Sequence, residues 1–114
     1  MRRQGPGGDP LDALFAPRTV AVVGASDDSA KWGHILARRA LEHAGDRTVL
    51  LVNRHGGEVL GRPAYATAEA AAATLGRTVD LAVLCVPAGG FVASVTDAVA
   101  AGARAILALS LIHI

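Results

Sequence analysis

The sequence predicts an α/β fold built on a doubly wound parallel sheet, and two observations support this prediction. Short β-branched and apolar runs alternate with helical segments along the chain after Pro10. The first run, TVAVVG at 19–24, is apolar at successive positions, which is typical of a strand buried on both faces of a parallel sheet. A polar loop and then a helix follow it, so the first unit has the order strand, loop, helix.

The remaining elements continue the alternation. We expect a helix from Gly33 to Gly45, a strand at 48–52, an alanine-rich helix at 67–75, a strand at 80–86, a helix at 91–101 and a fourth strand at 105–109. Because crossovers between parallel strands are right-handed, this order predicts a Rossmann-like sheet with the first strand at its centre. The loop after Gly24 should then face the ligand crevice. A short helical turn is expected at 11–15, ended by Pro17.

Composition narrows the class of protein. The 114 residues suit one domain, and 52% hydrophobic against 18% charged residues indicates a folded chain. The formal net charge of +1 excludes a strongly basic nucleic-acid binder. A single cysteine and no paired Cys/His spacings exclude a disulfide scaffold and a zinc module. No apolar run is long enough for a membrane span, so we expect a soluble, cytoplasmic protein with neither nucleic acid nor membrane as partner.

The two ends of the chain are expected to lie outside the domain. Residues 1–10 lack the apolar stretch of a signal peptide and predict a disordered leader. A half-sheet truncated after the fourth strand would leave an open edge, so we expect the domain at 11–108 to be incomplete at its C-terminus. The last six residues, LSLIHI, are also the translation of CTG TCT CTT ATA CAC ATC, a common transposase sequencing adapter. We therefore expect residues 109–114 to be an artefact.

The loop after the first strand is the first candidate binding site. It holds Gly24, Ala25, Ser26, Lys31 and Gly33, where backbone N–H groups and the start of a helix are able to bind a phosphate. Gly24 allows a sharp turn, the Ser26 hydroxyl is a donor and Lys31 adds a positive charge. The G-x-G-x-x-G dinucleotide fingerprint is not satisfied. An ordinary strand-to-helix loop remains the alternative.

The residues that follow the second strand indicate which nucleotide the site would bind. An NAD site normally has an acidic residue there, whereas this chain has Asn53 followed by Arg54 and His55. This cluster suits a phosphorylated ribose, as in NADP or coenzyme A, and a solvated turn is the alternative.

The end of the third predicted strand is a candidate second wall of the pocket. Val86, Pro87 and Ala88 lie at the same edge as the loop, unless they only terminate the strand. Cys85 is expected to be inert core, because nothing near it in sequence lowers its pKa.

Other polar and aromatic residues are weaker candidates. Trp32 and Tyr65 are each compatible with stacking on an adenine or with packing over the loop. His34 and His43 form no evident metal pair and are expected to be structural or surface residues. The neighbouring pair Asp27–Asp28 is expected to solvate the loop or cap the helix.

At these motifs the sequence resembles the N-terminal CoA-binding domain of NDP-forming acyl-CoA synthetases. This family includes the ADP-forming acetate–CoA ligases and is related to the succinyl-CoA synthetase alpha subunit. The resemblance covers residues 11–108 and is carried by LFAPRTVAVVGAS, the K-x-G of Lys31 and Gly33, VLGRPAY and VDLAVLCVPA.

The resemblance implies roles for the candidate residues. Gly24, Ser26, Lys31 and Gly33 would bind the CoA phosphates, Asn53 and Arg54 would lie near the nucleotide end, and Val86 to Ala88 would line the pocket. Such domains often have Val-Asn-Pro where this chain has Val-Asn-Arg, so the shape of that turn is left open. The family's catalytic steps use a later histidine-bearing domain and an ATP-grasp domain, which would bring ATP, ADP and Mg. No catalytic residue and no metal ligand is therefore assigned to this chain.

Three functions remain possible at this point. The first is the CoA-binding domain of a ligase that forms acyl-CoA from a carboxylic acid, CoA and ATP, with the other ligase domains or subunit as partners. The second is a stand-alone CoA-binding protein, or a CoA-binding-like regulatory domain of a lysine acetyltransferase. The third is an NADP-dependent reductase, which the missing fingerprint disfavours.

Overall fold

A single sheet organises the part of the chain that the computed structural model describes, residues 16–108. Its elements are β1 (Thr19–Val23), α1 (Trp32–Glu42), β2 (Thr48–Val52), β3 (Glu58–Val59), β4 (Arg62–Tyr65), α2 (Ala68–Leu75), β5 (Leu81–Leu84), a 3-10 turn (Ala88–Gly90), α3 (Phe91–Ala100) and β6 (Ala105–Ala108). No helix among these residues is long and apolar enough to cross a membrane. The expected leader, the turn at 11–15 and the expected artefact at 109–114 lie outside the described residues.

The strand order confirms the predicted Rossmann-like fold. The order is β3-β4-β2-β1-β5-β6, and every neighbouring pair is parallel except β3 with β4. The strand β1 lies between β2 and β5, and Val23 is in register with both Val52 and Leu84. Since the chain winds outward in opposite directions from β1, a ligand crevice is expected beyond the carboxyl ends of β1 and β5.

The sheet has six strands where the sequence predicts four. The segment VLGRPAY contributes to a hairpin in which β4 pairs antiparallel with β3 and parallel with β2. Two features explain why the sequence does not predict this hairpin: β3 has only two residues, and Pro63 resembles a strand terminator. Pro63 is tolerated because the register of β4 with β2 begins one residue later, at Ala64.

Both faces of the central strands are buried, as the unbroken apolar run of β1 predicts. Ala21 and Val23 pack on one face, beneath α2 and α3, while Val20 and Val22 pack on the other with α1. The helix α2 approaches its face closely because it presents alanines, which the structure buries at positions 68, 71 and 72. Its ends follow the capping signals, with the Thr67 hydroxyl accepting from the Ala70 N–H at 3.0 Å and Gly76 in the left-handed region.

One carboxylate joins three strands at the opposite, amino edge of the sheet. The Asp80 carboxylate accepts hydrogen bonds from the backbone N–H groups of Arg18 and Thr19, at 2.9 and 3.1 Å, and forms an ion pair with Arg104 at 2.9 Å. Its backbone carbonyl accepts from Arg104 and Ala105. Burial alone would raise the pKa of Asp80, but the hydrogen bonds and the charge of Arg104 outweigh burial and lower it.

We expect Asp80→Asn to lower the free energy of unfolding at pH 7 by about 1–3 kcal/mol, because the backbone N–H groups of Arg18 and Thr19 and the Arg104 guanidinium lose a charged acceptor. The folded-state pKa of Asp80 is depressed. Its stabilising contribution is therefore present above the unfolded pKa, about 3.9, and is lost as pH falls through the folded pKa. In urea denaturation at pH 7, 5 and 3, the free energy of unfolding should fall less with decreasing pH in the variant than in the wild type. Asp46→Asn, at an exposed loop position, is the control. If the free energy of unfolding of Asp80→Asn fell with decreasing pH as steeply as that of the wild type, this role of Asp80 would be contradicted.

We expect the Cys85 thiol to be inert in the folded chain. Burial raises the pKa of Cys85 to about 11, so at pH 8 only about one part in a thousand is thiolate. An aromatic disulfide reagent should label Cys85 slowly in native buffer and rapidly in concentrated guanidinium. Complete native labelling within minutes would show that this strand end is open.

Candidate functional site

Close backbone packing fixes the loop between β1 and α1. Gly24 has a φ of +93°, and a Cβ added there would lie 2.3 Å from the carbonyl oxygen of Cys85. A Cβ added at Gly33 would lie 1.8 Å from the carbonyl oxygen of Gly24. Both distances are too short for any side chain, so these two positions require glycine. The start of α1 is thereby held directly against Gly24 at the carboxyl end of β1, and Gly24 in turn packs on Cys85 at the end of β5.

The end of β2 supports the same loop. The N–H groups of Gly24 and Ala25 both donate to the carbonyl of Val52, at 2.9 and 3.0 Å. The Asn53 side chain donates from Nδ2 to the carbonyl of Ala25 at 2.9 Å and accepts the His55 N–H at 2.8 Å. The Asn53 amide therefore holds the loop and its own turn. Arg54 is exposed beside it.

Local hydrogen bonds shape the remainder of the loop. The Ser26 hydroxyl accepts the Asp28 N–H at 3.0 Å, and the Asp28 carboxylate accepts the Ala30 N–H at 3.0 Å. The ring Nδ1 of His34 lies 3.0 Å from the carbonyl oxygen of Ser26. His34 is thus a structural residue of the loop, in agreement with the sequence-based expectation.

The start of α1 carries unused donors. Lys31 is the N-cap residue, is exposed, and makes no capping hydrogen bond with its side chain. Within residues 16–108, no backbone acceptor outside α1 receives the N–H of Trp32 or Gly33. Free N–H groups at a helix start, beside a lysine, provide positive potential for an anion.

The end of β5 lies beside this loop. Cys85 and Val86 pack against the core, and exposed Pro87 accepts the Gly90 N–H through its carbonyl at 2.9 Å. The backbone of Ala88 begins the 3-10 turn. A Cβ at Gly89 or Gly90 would meet nothing within 4 Å, so the space beside this turn is open.

The two aromatic candidates occupy different environments. Trp32 is 51% exposed at the first position of α1, beside the loop. Tyr65 is half-buried and packs against the core cluster beneath α2 and α3. Of the two, only Trp32 has an exposed ring face adjoining the loop.

Two cavities lie at the other end of the sheet. One, of about 250 Å³, includes Pro17, Val20 and Leu81 in its lining, and a second, of about 560 Å³, borders Arg18 and Arg77. Both adjoin the first described residues and the amino ends of the strands, remote from the glycines and Lys31. We place the candidate site at the carboxyl edge, because the free donors and required glycines lie there. Residues 16–108 contain no cluster of three His, Cys, Asp or Glu able to hold a metal ion.

Sequence reasoning missed two long-range contacts of the loop, the bond from the Asn53 amide to Ala25 described above and one made by Asp27. The Asp27 carboxylate accepts the backbone N–H of Leu60, in the β3–β4 turn, at 2.7 Å. Asp27 therefore neither caps α1 nor only solvates the loop. The partners are 33 residues apart, and no local pattern indicates the pairing because the hairpin itself was not predicted.

Comparisons with known proteins agree with this architecture. The sequence profile of the CoA binding domain family matches residues 18–112. The chain is 36% identical over 78 residues to an ADP-forming acetate–CoA ligase I of Archaeoglobus fulgidus, covering 68% of this chain and 10% of the relative. It is 33% identical over 78 residues to the alpha subunit of ADP-forming acetate–CoA ligase I of Pyrococcus furiosus, covering 68% of this chain and 17% of that subunit. The chain thus spans a minor part of these curated relatives.

Solved structures share the fold. The crystal structure of PH0766 from Pyrococcus horikoshii OT3 superposes with a TM-score of 0.76 at 28% identity, covering 84% of this chain and 21% of that one. A conserved hypothetical protein from Pyrococcus furiosus superposes with a TM-score of 0.65 at 30% identity, covering 81% of this chain and 74% of that one. With a family profile that matches most of its length and a sheet of the same architecture, the chain belongs to the CoA binding domain family.

Proposed function

We propose that the chain binds coenzyme A at the carboxyl edge of the sheet, with the CoA diphosphate over the loop from Gly24 to Gly33. One observation carries this proposal: within residues 16–108, no backbone acceptor outside α1 receives the N–H groups of Trp32 and Gly33, which lie beside exposed Lys31. An anion there would satisfy these donors and gain from the helix dipole. Gly24 and Ala25 would form the floor, since the backbone of Gly24 lies against the ends of β2 and β5 and that of Ala25 bonds to β2, and Ser26 would follow them along the loop.

The nucleotide end of CoA would lie over the end of β2. Arg54 is exposed there, next to the turn that Asn53 stabilises, and a guanidinium suits the 3′-phosphate of CoA. Val86, Pro87 and Ala88 would form the opposite wall. The open space beside Gly89 and Gly90 supports the passage of a long, narrow arm such as pantetheine.

In a whole ligase, the domain would present CoA to a reaction completed by other domains. The supporting relatives are named ADP-forming acetate–CoA ligases, and this chain spans only 10% and 17% of two of them. We propose that the complete protein forms acyl-CoA from a carboxylic acid, CoA and ATP. ATP, ADP and Mg would be bound by domains or a subunit other than this one. The chain's own part would be to hold and orient CoA, with no catalytic residue.

A stand-alone CoA-binding protein is the second candidate, because the structural relative from Pyrococcus furiosus is matched over 74% of its own length. Resequencing the source DNA through and beyond codon 108, without a transposase adapter, separates the two candidates. Loss of LSLIHI and continuation into further ligase domains supports the ligase and an artefact at 109–114. Persistence of LSLIHI followed by a stop supports the small module.

We expect the chain to bind CoA at least about tenfold more tightly than NADP in isothermal titration, because the loop lacks the dinucleotide fingerprint. Lys31→Met should weaken CoA binding by about tenfold through loss of a charged hydrogen bond. Arg38→Met, at an exposed position further along α1, is the matched control and should bind as the wild type does. Equal or reversed affinity for NADP would overturn the proposal.

We expect the 3′-phosphate to be recognised through Arg54. Arg54→Met should weaken CoA binding by about tenfold, yet leave binding of dephospho-CoA unchanged, because only CoA carries the phosphate that the guanidinium contacts. Parallel titrations of both ligands with both proteins complete a double-mutant cycle. Equal losses for CoA and dephospho-CoA would place Arg54 elsewhere in the complex.

We expect Gly33→Ala to destabilise the fold by about 2–4 kcal/mol and to abolish measurable CoA binding, because the new methyl group would displace the backbone at Gly24. Gly89→Ala is the matched control for stability only, since a Cβ there meets nothing within 4 Å. Denaturant titration and CoA titration measure the two effects. A Gly33→Ala variant as stable as the wild type would contradict the close approach of helix and loop.

A further inference from the structure

The part of the loop that follows Ala25 makes a long-range hydrogen bond, in which the Leu60 N–H donates to the Asp27 carboxylate. Among the described residues, the other hydrogen bonds made by residues 26–31 stay within the loop or reach the first turn of α1. The contact with Leu60 is the one that leaves this unit, and it is short, at 2.7 Å, with an ionised acceptor. The conformation of the loop tip is therefore coupled to the β3–β4 turn.

The turn that supplies this donor is held in an unfavourable conformation. Leu60 has a φ of +55°, and it is the one non-glycine residue with positive φ in the described chain. It is followed by Gly61, at +73°, so both residues of the two-residue hairpin connection are left-handed. A leucine is strained there, where Asn or Gly is usual.

Two contacts hold Leu60 in place. Its side chain packs against the apolar cluster that lies beneath α1, together with its neighbour Val59. Its N–H donates to Asp27. The turn is thus held by the packing of the Leu60 side chain and by the hydrogen bond of its N–H to the loop. A strained backbone conformation persists where several surrounding contacts hold it in place.

We propose that Asp27 is a positioning residue for CoA binding: its carboxylate, anchored on the Leu60 N–H, holds the tip of the phosphate-binding loop in its receptive shape. The inference rests on the proposed function of the loop. A carboxylate beside an anion site would repel the ligand, so its presence needs a structural reason, and the Leu60 N–H supplies one. Asp27 acts through the loop and does not itself contact CoA.

Substitutions at residue 27 separate this role from an electrostatic one. Asp27→Asn keeps an oxygen acceptor for Leu60 and removes the charge, so we expect CoA affinity equal to or above that of the wild type. Asp27→Ala removes the acceptor and should weaken CoA binding by about tenfold, although it also removes the repulsive charge. Asp46→Ala, an exposed aspartate at the amino edge, should leave the affinity unchanged. Tighter CoA binding by Asp27→Ala would overturn the proposal.

Hydrogen exchange without ligand tests the anchor independently of CoA. In Asp27→Ala, the Leu60 amide and the amides of residues 26–31 should exchange about tenfold faster than in the wild type, while β1 and β5 keep their protection. Asp27→Asn should restore wild-type exchange. If exchange is unchanged in Asp27→Ala, the Asp27–Leu60 hydrogen bond does not hold the loop tip, and the proposal is overturned even if CoA binds. If exchange changes as expected but the wild type does not bind CoA, the proposed function fails and the anchor stands.

Discussion

The backbone contact between Gly24 and Cys85 is the constraint on which the binding edge depends. It brings the carboxyl ends of β1 and β5 together, at the point where the chain changes its direction of winding across the sheet. Because Gly33 then packs on the carbonyl of Gly24, a close contact between main-chain atoms places the helix start. The position of the free N–H donors is therefore set by the sheet, and the loop side chains only adjust it.

This arrangement explains why the candidate site is made of so few functional side chains. Backbone N–H groups provide most of its donors, and Lys31 and Arg54 add charge at its rim. In the proposed complex, a site of this kind would bind phosphate groups and hold the ligand in a fixed orientation. The buried Cys85, whose pKa is raised to about 11, is consistent with a binding role.

Local pattern predicted the parts of the fold that are determined locally. The run TVAVVG predicted a strand buried on both faces, and Thr67 and Gly76 lie at the two ends of α2. The β3–β4 hairpin escaped prediction because its strands are short and its turn places a leucine where glycine or asparagine is usual. The roles of Asn53 and Asp27 escaped it for a different reason: each side chain bonds to backbone about 30 residues away, which only the folded chain brings close.

Opposite edges of the sheet are held by different means. At the amino edge, the Asp80 carboxylate joins β1, β5 and β6 through side-chain hydrogen bonds and an ion pair. At the carboxyl edge, close packing of main-chain atoms at Gly24 and Gly33 holds β1, β5 and α1 together. A substitution is able to remove a side chain but not a carbonyl group, so the two edges differ in how they tolerate sequence change. Side chains at the amino edge can therefore change at a cost in stability, whereas positions 24 and 33 at the carboxyl edge admit only glycine.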